Sequence, residues 1–144
     1  MGRLATLMVS GLLVTAALPG RADDQDVIDY RTHVMKTMGE QLGAIGMILE
    51  HKAPADNFAV HLKVLAVTAT QAKKAFEPKV PGGNAKPEVW NNWADFSKRL
   101  EELVATTAEL ATAAQHEGVA AVGGKLKSTL KCKSCHDTYR LPLK

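Results

Sequence analysis

The sequence predicts an all-α protein, an antiparallel four-helix bundle with up-down-up-down topology. Three observations predict it. Apolar residues recur at helical spacing through four stretches, Pro- and Gly-bearing breaks separate them, and no segment alternates as a half-buried strand would. At 144 residues the chain is long enough for one domain with its own core.

The bundle begins after residue 22. Met1 to Ala22 reads as a secretory signal peptide: Arg3 is the positive start, Leu4 to Leu18 is largely apolar, and Gly20-Arg21-Ala22 offers small residues at both cleavage-specifying positions. The competing reading is a retained anchor, but the apolar run is short of the roughly 20 residues a span needs. The expectation is an exported, soluble, periplasmic protein whose mature part, residues 23–144, is a single domain with no membrane span. Loss of Arg3 and Arg21 lowers the formal charge from +3 to +1. No basic patch interleaved with aromatics is present, which argues against a nucleic-acid partner. A near-neutral surface points to no other partner either.

From Asp24 to about His51, Ile28, Met35, Leu42 and Leu49 fall seven apart, with Arg31, Met38 and Ile45 at the complementary positions. Such a seam packs a helix into a bundle. Asp23, Asp24 and Asp26 place negative charge where the helix dipole favours it. Arg31 is thus a charge at a core-facing position, with Met35 one turn further along the same face. Lys52-Ala53-Pro54 breaks this helix. The second runs from Ala55 or Asp56 to about Phe76, with Phe58, Leu62, Leu65, Ala69, Ala72 and Phe76 along its seam; its alanines make a thin face that permits close approach. Between Glu77 and Pro87, the prolines at 78, 81 and 87 and the Gly82-Gly83 pair require a loop. The third helix runs from about Pro87, at home in a first turn, to His116, with Trp90, Trp93, Phe96 and Leu100 opening its stripe. Gly118 is a C-terminal stop. The fourth starts near Val119, tolerates Gly123-Gly124, carries Leu126, Leu130, Cys132, Cys135 and Tyr139, and ends before Pro142.

The last helix carries the chemistry. Cys132-Lys133-Ser134-Cys135-His136 has the Cys-x-x-Cys-His spacing of c-type haem attachment. On a helix the two thiols and the imidazole share one face. Both thiols can then bond the vinyl groups along one porphyrin edge while the imidazole reaches the iron. Three alternatives are weaker. A structural zinc site wants a fourth ligand, yet the chain has no further cysteine, and His33, His51, His61 and His116 show no ligand spacing with this stretch. A thioredoxin-like redox pair expects a strand-helix context. A disulfide within one turn would strain the helix and leaves His136 unexplained.

With that motif on a C-terminal helix, the chain resembles the cytochrome c-prime family, the class II c-type cytochromes, over essentially its whole mature length. Tyr30-Arg31, Ala85-Lys86-Pro87-Glu88-Val89-Trp90 and the run from Cys132 to Arg140 carry the likeness. The resemblance implies one covalent haem c near one end of the bundle, held by Cys132 and Cys135, with His136 as the proximal iron ligand. It implies Arg31 beside a haem propionate and Arg140 beside the proximal imidazole. The position four residues after the Tyr-Arg pair faces the other side of the iron, and here it is Met35. A thioether there can ligate iron, giving His/Met haem of the family's low-spin branch, with a raised potential and a site closed to small molecules. Met38 is the rival ligand, one turn on. Core filling is the ordinary use of methionine, and Met47, off the seam, reads as packing.

The leading expectation is therefore a periplasmic electron carrier cycling between Fe(III) and Fe(II) and meeting redox partner proteins. The alternative is a five-coordinate protein that binds or senses nitric oxide or carbon monoxide, with Met35 as a steric lid. A peroxidase-like enzyme is a weaker third reading. No catalytic residues are assigned: the chain has no nucleophile-base pair, carboxylate dyad or phosphate loop. A homodimer through the first two helices is also implied by the resemblance.

Overall fold

A computed structural model describes residues 23–143; the signal-peptide reading of residues 1–22 lies outside the described residues. The elements are α1 (Asp24–Leu49), a 3-10 turn (Ala55–Asn57), α2 (Phe58–Phe76), α3 (Glu88–Asn91), α4 (Trp93–Gly123), α5 (Leu126–Thr129) and α6 (Cys132–Tyr139). Among the described residues there is no strand, only isolated bridges at Gly82–Ala85 and Ala85–Arg140.

α1 starts on a reciprocal cap. The Asp23 carboxylate accepts from the Asp26 amide at 2.8 Å, and the Asp26 carboxylate accepts from the Asp23 amide at 3.3 Å. Two otherwise orphaned donors are thereby satisfied. The helix ends at Leu49, and His51 turns the chain with a positive φ of 59°. α2 is the central element, packed against both α1 and α4. Its seam falls where the spacing predicts: Phe58, Leu62, Leu65, Ala69, Ala72 and Phe76 are all buried. Full burial of each large side chain there stabilises by roughly 1.5–3 kcal/mol.

The third and fourth predicted helices depart from the sequence expectation in detail. Asn92, at φ −124° and ψ 50°, separates the single turn of α3 from α4. Gly118, at φ 75° and ψ −173°, divides α4, as expected of the stop, and residues 119–123 begin the return. That return is not one helix. It breaks at Gly124-Lys125, where the paired glycines 123 and 124 weaken the helix, and again where Leu130 adopts extended backbone at φ −80° and ψ 114°. The motif therefore rides on its own two-turn helix, which packs against α3 and α4.

Candidate haem attachment site

α6 presents Cys132, Cys135 and His136 half-buried. Burial raises both thiols above their ordinary range; the nearby Arg99 guanidinium opposes this at Cys135. They are free thiols with no disulfide between them. Burial, reinforced by the Arg140 charge and opposed by Asp137, lowers His136 and so favours the neutral imidazole, the form that can donate to a metal. Among the described residues no three His, Cys, Asp or Glu side chains gather closely enough to hold an ion alone. A planar group touched at three separated atoms suits this donor set better than a bare ion does.

A second observation fits a bound group. The Arg140 Nε is buried and has no hydrogen-bond partner, although buried polar groups are nearly always satisfied. Arg140 is one turn past His136, and its amide donates to the His136 carbonyl at 2.9 Å. The residues present therefore fit a haem: two thiols, a neutral imidazole, and a buried cationic N–H open to an acceptor.

An aromatic cluster fixes α6 from behind. The Phe96 ring lies 5.0 Å from Tyr139 and 5.2 Å from Phe76, both edge-on, and 5.8 Å from Trp93. Tyr139 is 3 % exposed. Its hydroxyl donates to Asp95 Oδ2 at 2.5 Å, and the same oxygen accepts from Arg99 Nε at 2.7 Å. Burial first, then the Asp95 hydrogen bond and charge, push the Tyr139 phenol up to about 12. The Tyr139 and Arg99 hydrogen bonds hold the Asp95 carboxyl below its usual range. The sequence reading missed this triad. Asp95 and Arg99 stand at the helical i,i+4 spacing of an ion pair, but their partner is 44 residues away from Asp95.

On α1, Met35 is half-buried and packs against the core without belonging to it, whereas Met38 is buried within it. Met47 faces outward, 50 % exposed, so its reading as packing is corrected: it lies on the far side of the helix from the core. Arg31 is 2 % exposed, as its seam position requires. Within the chain its partners are backbone carbonyls. Its Nη1 donates to the Val80 carbonyl and its Nη2 to the Gly82 carbonyl, both at 2.6 Å. The guanidinium also lies 5.1 Å from the Trp90 ring and 5.6 Å from Phe76. Trp90 in turn donates from Nε1 to the Phe76 carbonyl at the end of α2.

Comparison with known proteins agrees with this arrangement. Residues 26–140 match the profile of the family described as Cytochrome C'. A cytochrome c' from Rhodopseudomonas palustris is 36 % identical over 150 residues, covering 96 % of this chain and 95 % of the relative. A cytochrome c-556 from Agrobacterium tumefaciens is 34 % identical over 117 residues, covering 78 % and 93 %. Among solved structures, cytochrome c prime from Shewanella frigidimarina matches with a TM-score of 0.76 at 25 % identity, over 85 % of this chain and all of that one. Two variants of cytochrome c prime from Alcaligenes xylosoxidans also match. A nitric oxide complex has a TM-score of 0.73 at 26 % identity, over 85 % and 100 % of the two chains. A carbon monoxide complex has 0.72 at 27 %, over 84 % and 98 %. The chain belongs to the cytochrome c' family, whose fold is the four-helix bundle and whose cofactor is one covalent c-type haem.

Proposed function

We propose that this member of the cytochrome c' family attaches haem through Cys132 and Cys135, ligates its iron through His136, and admits a small neutral gas, nitric oxide or carbon monoxide, on the face opposite. When bound, the haem supplies the iron at which the gas binds and the Fe(III)/Fe(II) couple. The chain does the rest. Cys132 and Cys135 would hold the haem as thioethers, each S–H adding across a vinyl double bond, an attachment that would need no net oxidant. His136 would hold the iron, and Met35 on α1 would govern access to it.

The observation that carries this reading is the placement of Met35. It is half-buried at the edge of the core, and an unbranched side chain there can swing aside at little cost; Met38, packed inside, cannot. The nitric oxide and carbon monoxide complexes of the Alcaligenes relative support the same reading. A second reading stands on one fact: the residue at this place is a thioether, an established axial partner for histidine. In that case Met35 would close the site, and the protein would carry single electrons between redox partner proteins. Met35→Leu separates the two. Gas uptake past a lid predicts that wild type and variant share a five-coordinate, high-spin ferrous spectrum. A change from six- to five-coordinate in the variant would instead establish Met35 as a ligand and the electron carrier as the function.

We assign no catalytic turnover to the site. No helix among the described residues is long and apolar enough to cross a membrane. The signal-like Met1–Ala22 and the need to attach haem outside the cytoplasm support a periplasmic location. A second copy of the chain is the proposed partner of the outer face of α2, where Val60, Val64 and Val67 are exposed at helical spacing.

A further inference from the structure

We infer that Arg31 is a positioning residue for the histidine-bearing helix: it pins the 80–86 loop to α1, and the loop pins the end of α6. This rests on the haem reading above for what α6 carries, but the brace itself is a matter of geometry. Arg31 lies inside the bundle with no carboxylate within ion-pairing distance among the described residues. Its two terminal nitrogens reach across to the backbone of Val80 and Gly82, and its guanidinium lies over two aromatic rings, Trp90 and Phe76. Only a forked, planar cation can serve two carbonyls and two rings at once. The loop is shaped to meet it. Gly82 and Gly83 take positive φ of 132° and 57°, and a Cβ on Gly82 would lie 2.7 Å from Ile28 Cδ1. The glycines let the loop press flat against α1 one turn before Arg31.

Two residues further on, the same loop clamps α6. The Asn84 carbonyl accepts from the Leu141 amide at 2.8 Å, and the Lys86 amide donates to the Tyr139 carbonyl at 3.0 Å. Ala85 bridges Arg140. Lys86 Nζ donates to the Asp137 carbonyl at 2.9 Å. The last carbonyls of a helix have no partners of their own; here the loop supplies them, starting one residue after His136. A line of hydrogen bonds thus runs from the helix that bears Met35 to the helix that bears His136.

A propionate partner and a brace make different demands on Arg31. A carboxylate needs the charge, which lysine retains; the brace needs the fork, which lysine lacks. The test is Arg31→Lys in the haem-loaded protein, followed by amide hydrogen exchange at Lys86 and Leu141 and by the ferrous iron–histidine stretching band. The brace predicts exchange at both amides faster by about tenfold or more, the scale of a lost charge-assisted hydrogen bond, and a shifted band. Gly82→Ala, which displaces the loop and its carbonyl from an unaltered Arg31 side chain, should give the same two changes, and it serves if Arg31→Lys does not fold. Unaltered exchange in the variants would overturn the brace. Faster exchange with an unshifted band would confine Arg31 to the loop and overturn its role in positioning His136. Failure of the protein to carry haem at all would sink the functional reading, while exchange at the two amides would still decide the brace.

Discussion

At the scale of single residues, Tyr139 and Asp95 are paired so that each perturbs the other in opposite senses. The phenol is raised from an ordinary value of 10.0 to about 12. Its contribution to stability is therefore complete below pH 10 and is lost as pH rises from 10 to 12. Asp95 is lowered, so its contribution is present above the ordinary carboxylate range and is lost as pH falls through its depressed value. The denaturation midpoint of the wild type should drop across pH 10 to 12, and Tyr139→Phe should flatten that window. An equally steep fall in the variant would place the alkaline loss elsewhere. Residue type and spacing were enough to single out Cys132, Cys135 and His136 as candidates and to turn Arg31 inward. They could not supply Arg31's partners. Those are backbone carbonyls 49 and 51 residues away, and carbonyls carry no mark in a sequence.

At the scale of elements, the 3.6-residue period located α1 and α2 closely because each is a continuous helix with one buried face. The C-terminal helix was legible only as a stretch. Its first break follows the local weakness of Gly123-Gly124, but the second, at Leu130, goes with where α6 must lie to meet the loop and the Phe96 cluster, a tertiary demand that residue type does not mark. Gly118 shows the reverse, a local signal that tertiary structure obeys. Its φ of 75° with ψ of −173° belongs to a region essentially open only to glycine. A Cβ there would meet nothing within 4 Å, so the cost of Gly118→Ala is backbone strain alone, about 1–3 kcal/mol. Denaturant unfolding measures it directly. A loss within error of zero would mean that residue 118 relaxes into an ordinary turn and that the reversal is not set by this glycine.

At the scale of the whole molecule, the bundle holds a face for each role: α2 at the centre, α6 against the aromatic cluster, and α1 carrying Met35 towards the core edge. The outer face of α2 is left with Val60, Val64 and Val67 uncovered. Val64→Glu should leave the helical content unchanged and shift the sedimentation coefficient from that of a dimer to that of a monomer; a wild type already monomeric at high concentration would remove the second copy from the account. The central claim, however, is the proposal that a gas reaches the iron past Met35. It is tested most directly by adding carbon monoxide to the reduced, haem-loaded protein and following its absorption spectrum. The account predicts a broad high-spin spectrum that shifts as the gas binds. Sharp low-spin bands that ignore carbon monoxide would contradict it and make Met35 a ligand rather than a lid.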